Sequence, residues 1–175
     1  RRHLSRFGKL LPILGAANPC YYRNKVEAAF GLDRSRKVIA GTYEPRSHRI
    51  VDINSCLNED KNATAIIVQN VNNRRTSVLL GDREQTLYGP GFIRDTLCGM
   101  SFRISPRTFY QINPTQTEVL YRRAIKAAGL TGKERVLDAY CGIGTIGMIA
   151  AADAREVIGV EQNPAAVRDA IRNAK

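Results

Sequence analysis

Val136-Leu137-Asp138-Ala139-Tyr140-Cys141-Gly142-Ile143-Gly144-Thr145-Ile146-Gly147 is the stretch on which the fold turns. Its first part, Arg135 to Asp138, has the character of a short strand, and the glycines at 142, 144 and 147 then satisfy G-x-G-x-x-G. Alone this triplet says little, but it follows a predicted strand and opens a predicted helix near Ile146, the setting in which such a loop receives a nucleotide-like ligand. A second strand, Val157 to Glu161, and a helix opened by Asn163-Pro164 complete a β-α-β-α order. That order implies a parallel sheet.

Working outward, Asn113-Pro114 marks a helix start, with Asn as cap, Pro at the first position and Gln116 placed as a capping-box partner. The spacing predicts a helix from Pro114 to Ala128 that ends at Gly129, with Leu120, Ala124, Ala127 and Ala128 on one apolar face. Upstream of Leu97 the chain reads as short strands. Val26 to Phe30, Val38 to Tyr43 and His48 to Ile53 suggest an antiparallel meander, followed by strands at Ala65 to Val71 and Thr76 to Leu80. Ile93 to Leu97 and Met100 to Ile104 suggest a hairpin across Cys98-Gly99. Residues 1–112 therefore read as a β-rich domain and residues 113–175 as the start of an α/β domain.

The formal net charge is +11, and its distribution is uneven. Residues 1–50 hold eleven Lys or Arg against three Asp or Glu, whereas residues 151–175 hold four of each. A basic first part suits a polyanion, because neutralised phosphates release condensed counterions. RNA-contacting candidates are Arg23, Lys25, Arg46, Arg49, Arg103 and Arg107, with Phe109 as a stacking surface. Cys20, Cys56, Cys98 and Cys141 lie far apart with only two histidines in the chain, so no metal site is expected. Reduced thiols and the lack of a long apolar run lead us to expect a cytoplasmic protein with no membrane partner.

Nicotinamide dinucleotides and S-adenosylmethionine both use a strand–glycine loop–helix unit, and charge separates them. Asp138 ends the first strand beside the loop, where a pyrophosphate would be repelled and a sulfonium and α-ammonium attracted. Glu161 lies nineteen positions after Gly142, where an acid can accept ribose hydroxyls. The expected cofactor is therefore S-adenosylmethionine, and a nicotinamide oxidoreductase is disfavoured.

Several separate stretches then resemble one family. Asn18-Pro19-Cys20-Tyr21-Tyr22-Arg23-Asn24-Lys25, Ser47 to Asp52 with Cys56, Ser101 to Pro114 with its Phe109-Tyr110-Gln111-Ile112-Asn113, and Val136 to Thr145 are similar to motifs of the RNA uracil-5 methyltransferases, particularly bacterial enzymes acting on 23S ribosomal RNA. The resemblance implies an α/β fold: a Rossmann-like S-adenosylmethionine-dependent methyltransferase sheet, present as its first two βα units, preceded by a β-rich antiparallel domain. It implies donor contacts from Gln111, Asp138, Tyr140, Gly142, Gly144 and Glu161, and RNA as partner, ribosomal RNA ahead of tRNA. The implied chemistry is addition of a cysteine thiolate to uracil C6, attack of C5 on the donor methyl, and removal of the C5 proton.

The chain also departs from that family. Residues 57–66 look like a junction across sequence present in relatives. The family's nucleophilic cysteine, its acidic base and its D-P-P-R-like loop correspond to sequence beyond Lys175, so no catalytic residue is assigned and the chain alone is expected to be inactive. The alternative expectation is an RNA-binding module without catalysis.

Overall fold

The computed structural model describes residues 12–53, 56–57, 66–72 and 80–175. An antiparallel meander comes first: β1 (Ala29–Leu32), β2 (Val38–Tyr43) and β3 (Ile50–Asp52) lie in the order β1-β2-β3. The first strand starts three residues later than expected. Its ladder begins where Ala29 faces Gly41, and Val26 lies outside it.

β4 (Ile67–Val71) pairs antiparallel with β5 (Arg83–Tyr88), with a register shift between Ile67 and Val68. The sequence reading missed β5. Arg-Glu-Gln-Thr-Leu-Tyr has no apolar alternation and all six residues are exposed, so only pairing with β4 reveals it. Most of the strand expected at Thr76 to Leu80 lies outside the described residues.

The hairpin of β6 (Ile93–Leu97) and β7 (Met100–Ile104) has the expected bounds. Its two turn residues, Cys98 at φ 52° and Gly99 at φ 84°, both sit in the left-handed region, as a two-residue turn of type I′ demands.

α1 (Pro114–Ala128) also has the expected bounds. Asn113 Oδ1 accepts from the Gln116 backbone N–H, and Gly129 closes the helix in the left-handed conformation. Two expectations for this helix are corrected. The Gln116 side chain reaches the carbonyl of Leu14 at 3.2 Å instead of completing a capping box. The buried face carries Thr117 and Tyr121, not the apolar row of Leu120, Ala124, Ala127 and Ala128, which is exposed. The hydroxyls explain this, because Thr117 Oγ1 donates to Asn113 O and Tyr121 Oη pairs with Thr145 Oγ1 at 3.0 Å. Satisfied polar atoms let a helix turn a partly polar face inward.

β8 (Arg135–Asp138), α2 (Thr145–Ala150), β9 (Glu156–Gly159) and α3 (Pro164–Asn173) form the parallel βαβ unit and the helix after it. β9 ends two residues before Glu161, because its ladder finishes where Gly159 faces Asp138, the last residue of β8. Val136 and Val157 are partly covered, while Leu137 and Ile158 on the opposite face are exposed. The core gathers Leu97, Phe102 and Ile104 of the hairpin, Tyr110 after it, Tyr121 of α1, Ile143 of the glycine loop and Ala166 of α3. Residues on both sides of position 112 share this core. Its consequence for function is direct: the hairpin, α1 and α3 hold the glycine loop in place from three directions.

Candidate functional site

The C-terminal ends of β8 and β9 carry the site, as the order strand–loop–helix requires. After Asp138 the chain turns through Gly142 at φ 55° and Gly144 at φ 87°, conformations that suit glycine. A side chain at Gly142 would meet no atom nearer than the Phe109 carbonyl oxygen, 3.9 Å away, so the loop borders open space under the 109–111 segment. At Gly147 the backbone approaches closely instead: a Cβ there would lie 3.0 Å from Asp138 Oδ2 and 3.2 Å from Val157.

Two carboxylates face this loop. Asp138 Oδ2 accepts from the Gly147 N–H at 3.2 Å, and burial pushes its carboxyl above the ordinary range against the pull of that bond. Glu161 accepts from Asn163 N at 2.7 Å and from Gly142 N at 3.0 Å; these bonds hold it below the ordinary range despite some desolvation. Neither has a Lys or Arg partner among the described residues. A pair of anionic groups beside an open glycine loop, with no cation to balance them, is a donor set that fits a cationic, hydroxyl-bearing ligand. The expected donor-site residues Asp138, Gly142, Gly144 and Glu161 are thus brought together. Tyr140 stands beside them, 90 % exposed. Gln111 is half-buried, and its amide makes no hydrogen bond among the described residues.

The segment above the loop is fixed by residues far away in sequence. Lys25 Nζ donates to the carbonyls of Pro106 and Thr108 at 2.7 and 2.8 Å, and burial lowers its pKa from the ordinary lysine value. Asn24 Nδ2 and Tyr110 Oη both donate to Asp95 Oδ2, at 2.7 and 3.0 Å. Burial, with Asp95 beside it, pushes the Tyr110 hydroxyl strongly upward, so it stays a donor. Asn163 Nδ2 ties the Arg107 carbonyl to the start of α3. At the end of α3, Asn173 bonds Arg103 N and O and also Ile143 O of the loop. The sequence reading missed Asp95, Asp169 and Asn173, and saw Asn163 only as the opening of α3. Their roles are long-range clamps with no local spacing to betray them.

The RNA candidates are scattered and mostly engaged internally. Lys25 is a clamp. Arg49 forms two hydrogen bonds to Glu44 at the β2–β3 turn, where Arg46 is exposed at φ 62°. Arg103 pairs with Asp169, and Arg107 with Glu84. Arg23 is half-buried, its Nε enclosed and without a hydrogen-bond partner. Phe109 is 74 % exposed above the glycine loop.

Neither Cys98 nor Cys141 is prepared as a nucleophile. Burial pushes the thiols of Cys98 and Cys141 upward, and Asp138 and Glu161 reinforce this at Cys141. Cys141 also packs onto β9, its sulfur 3.0 Å from where a Cβ on Gly159 would stand.

With this geometry in hand, comparison with known proteins is informative. The chain is similar to RNA methyltransferases along nearly all of its length. It is 35 % identical to an uncharacterized RNA methyltransferase of Halalkalibacterium halodurans, covering 98 % of this chain and 54 % of that protein. It is 36 % identical to another from Bacillus cereus, over 95 % and 51 %. Among solved structures, the Pyrococcus abyssi tRNA (uracil-54, C5)-methyltransferase in complex with S-adenosyl-L-homocysteine matches with TM-score 0.51 and 28 % identity, over 83 % of this chain and 35 % of that one. No protein-family model matches the chain. The chain spans about half the length of the curated relatives it matches. The first match extends over 246 positions against 175 residues here, so at least 71 positions have no counterpart in this chain.

Proposed function

We propose that this chain forms the donor-binding part and an RNA-facing part of an S-adenosylmethionine-dependent enzyme that methylates C5 of uridine in RNA, with ribosomal RNA the expected substrate. The observation that carries the reading is the pair Asp138 and Glu161, both without a cationic partner among the described residues, at the mouth of an open glycine loop. The similarity to RNA methyltransferases and to a uracil C5 enzyme holding S-adenosyl-L-homocysteine supports it.

When bound, the donor supplies an electrophilic methyl group on a sulfonium. The residues of this chain bind and orient. Asp138 offers a partly desolvated carboxylate to the cationic methionine end, where attraction is stronger than in water. Glu161, fixed by two backbone N–H groups, keeps lone pairs for ribose hydroxyls. Gln111 presents an amide with no hydrogen bond among the described residues, and Phe109 an exposed ring on which an unstacked base can rest. Lys25, Asn24 and Asp95 act at one remove by holding the 106–110 segment in place. The thiolate that adds to uracil C6 is assigned to none of the four cysteines of this chain.

Isothermal titration with S-adenosyl-L-homocysteine tests the reading. The expected result is saturable binding to the wild-type chain, weakened in Glu161→Ala by about 1–3 kcal/mol through loss of charge-assisted hydrogen bonds. Binding of NADH in place of S-adenosyl-L-homocysteine would overturn it.

A further inference from the structure

Away from the donor loop, the surface between α3, β7, Ser105–Arg107 and Glu84 of β5 sinks into a polar cleft of about 220 Å³. Arg103, Arg107, Arg168 and Arg172 line it against two acids, Glu84 and Asp169. Both acids are already engaged. Asp169, 1 % exposed, accepts from Arg103 Nε at 3.2 Å and Ser105 N at 2.8 Å, and Glu84 accepts from Arg107 Nε at 2.8 Å. Arg103 is fixed further by its guanidinium lying 3.5 Å from the centre of the Phe92 ring. Arg168 and Arg172, one turn apart on α3, are exposed and have no acidic partner among the described residues. The cleft therefore keeps an excess of two positive charges and several unused N–H donors.

We propose that this cleft binds the phosphodiester backbone of RNA, with Arg168 and Arg172 as the phosphate-contacting side chains and Arg103 and Arg107 as a fixed wall. The proposal rests on the RNA-methyltransferase reading and gives that reading its docking surface. Guanidinium groups match phosphate oxygens in paired, charge-assisted hydrogen bonds. The first turn of α3 reaches the cleft through Ala165, adding the positive end of its dipole. No aromatic ring lines the cleft to stack on a base, so the surface suits backbone and not nucleobase. Ser105 to Arg107, part of its wall, continues directly into the Phe109–Gln111 segment over the donor loop. A strand of RNA held here is thus led toward the methyl donor.

The test uses the full 175-residue chain and a fluorescently labelled single-stranded RNA containing uridine, titrated by anisotropy across a range of salt. Arg168→Gln with Arg172→Gln is expected to weaken binding tenfold or more at low salt. It should also flatten the salt slope by about 1.4, the value for two phosphates on a single strand. The same charge removed from α1, Arg122→Gln with Arg123→Gln, is expected to change affinity less than threefold. Lysine at 168 and 172 should keep most of the affinity, with circular dichroism confirming the fold of each variant. Equal losses in the two glutamine pairs, or an unchanged slope in the first, overturn the cleft while leaving the RNA reading intact. A wild-type chain that binds no RNA overturns both. Calorimetry with inorganic phosphate separates a small anion from a polymer: saturable phosphate binding with unaltered RNA affinity in the glutamine variant assigns the cleft to a free anion and overturns the proposal.

Discussion

Asp138 is held in a conflict that has a measurable sign. Burial raises its pKa, so the folded state holds the proton more tightly than the unfolded chain does. Folded protein then binds more protons than unfolded between the ordinary value of 3.8 and the raised one, and stability falls as pH rises through that window. Below it the group costs nothing; at neutral pH the cost is complete. Asp138→Asn keeps an acceptor for the Gly147 N–H and removes the charge, so it should raise the urea midpoint of the ligand-free chain at pH 7 and leave it unchanged near pH 3. The same variant should lose affinity for S-adenosyl-L-homocysteine. Stability lost by the asparagine variant at pH 7 would contradict this account. That Asp138 and Glu161 flank the glycine loop was legible because strand ends and loop spacings are local. The part Lys25 plays in holding the 106–108 segment was not legible, because its partners, the Pro106 and Thr108 carbonyls, are visible only in three dimensions. Lys25→Met should leave both carbonyls without their donor, costing about 1–3 kcal/mol in urea unfolding, and should also weaken S-adenosyl-L-homocysteine binding by loosening the 106–110 segment.

At the scale of elements, bounds followed sequence where the deciding chemistry was local. Asn113, Pro114 and Gly129 delimit α1, and the Cys98-Gly99 turn delimits the hairpin. Asn113→Ala should therefore destabilise the chain by about 1 kcal/mol, read from thermal or urea unfolding, through loss of the bond to Gln116 N. Orientation was less legible than extent. The row Leu120, Ala124, Ala127 and Ala128 looks like a core face by hydropathy, yet Tyr121 and Thr117 turn inward because their hydroxyls find partners. β5 was illegible for a related reason: an exposed strand is defined by its neighbour's backbone, and its own side chains carry no pattern. The parallel pair β8–β9 was read correctly because the glycine loop and two helix caps flank it.

Over the whole molecule, the hairpin, α1, the glycine loop and α3 share one packed core, with Cys98 at the hairpin turn and Cys141 in the loop. Burial raises Cys98 and Cys141, so neither supplies thiolate at neutral pH. Incubating the 175-residue chain with methyl-labelled S-adenosylmethionine and uridine-containing RNA should therefore leave the RNA unlabelled. Label at C5 that disappears in Cys141→Ala would make Cys141 the nucleophile despite its packing on β9. Donor binding and RNA binding are expected without turnover, because affinity for the methyl donor does not activate the accepting carbon.

Asn173 joins two places that have so far been treated apart. One amide group grips the backbone N–H and C=O of Arg103, in the wall of the arginine cleft, and the carbonyl of Ile143, in the glycine loop. From this joint we expect S-adenosyl-L-homocysteine and RNA to bind cooperatively, each ordering a segment that the other also needs. Thermodynamic reciprocity then requires RNA to tighten S-adenosyl-L-homocysteine binding by the same factor as S-adenosyl-L-homocysteine tightens RNA binding. Affinities measured for each ligand with the other absent and saturating should show equal ratios above one in the wild type, and ratios near one in Asn173→Ala.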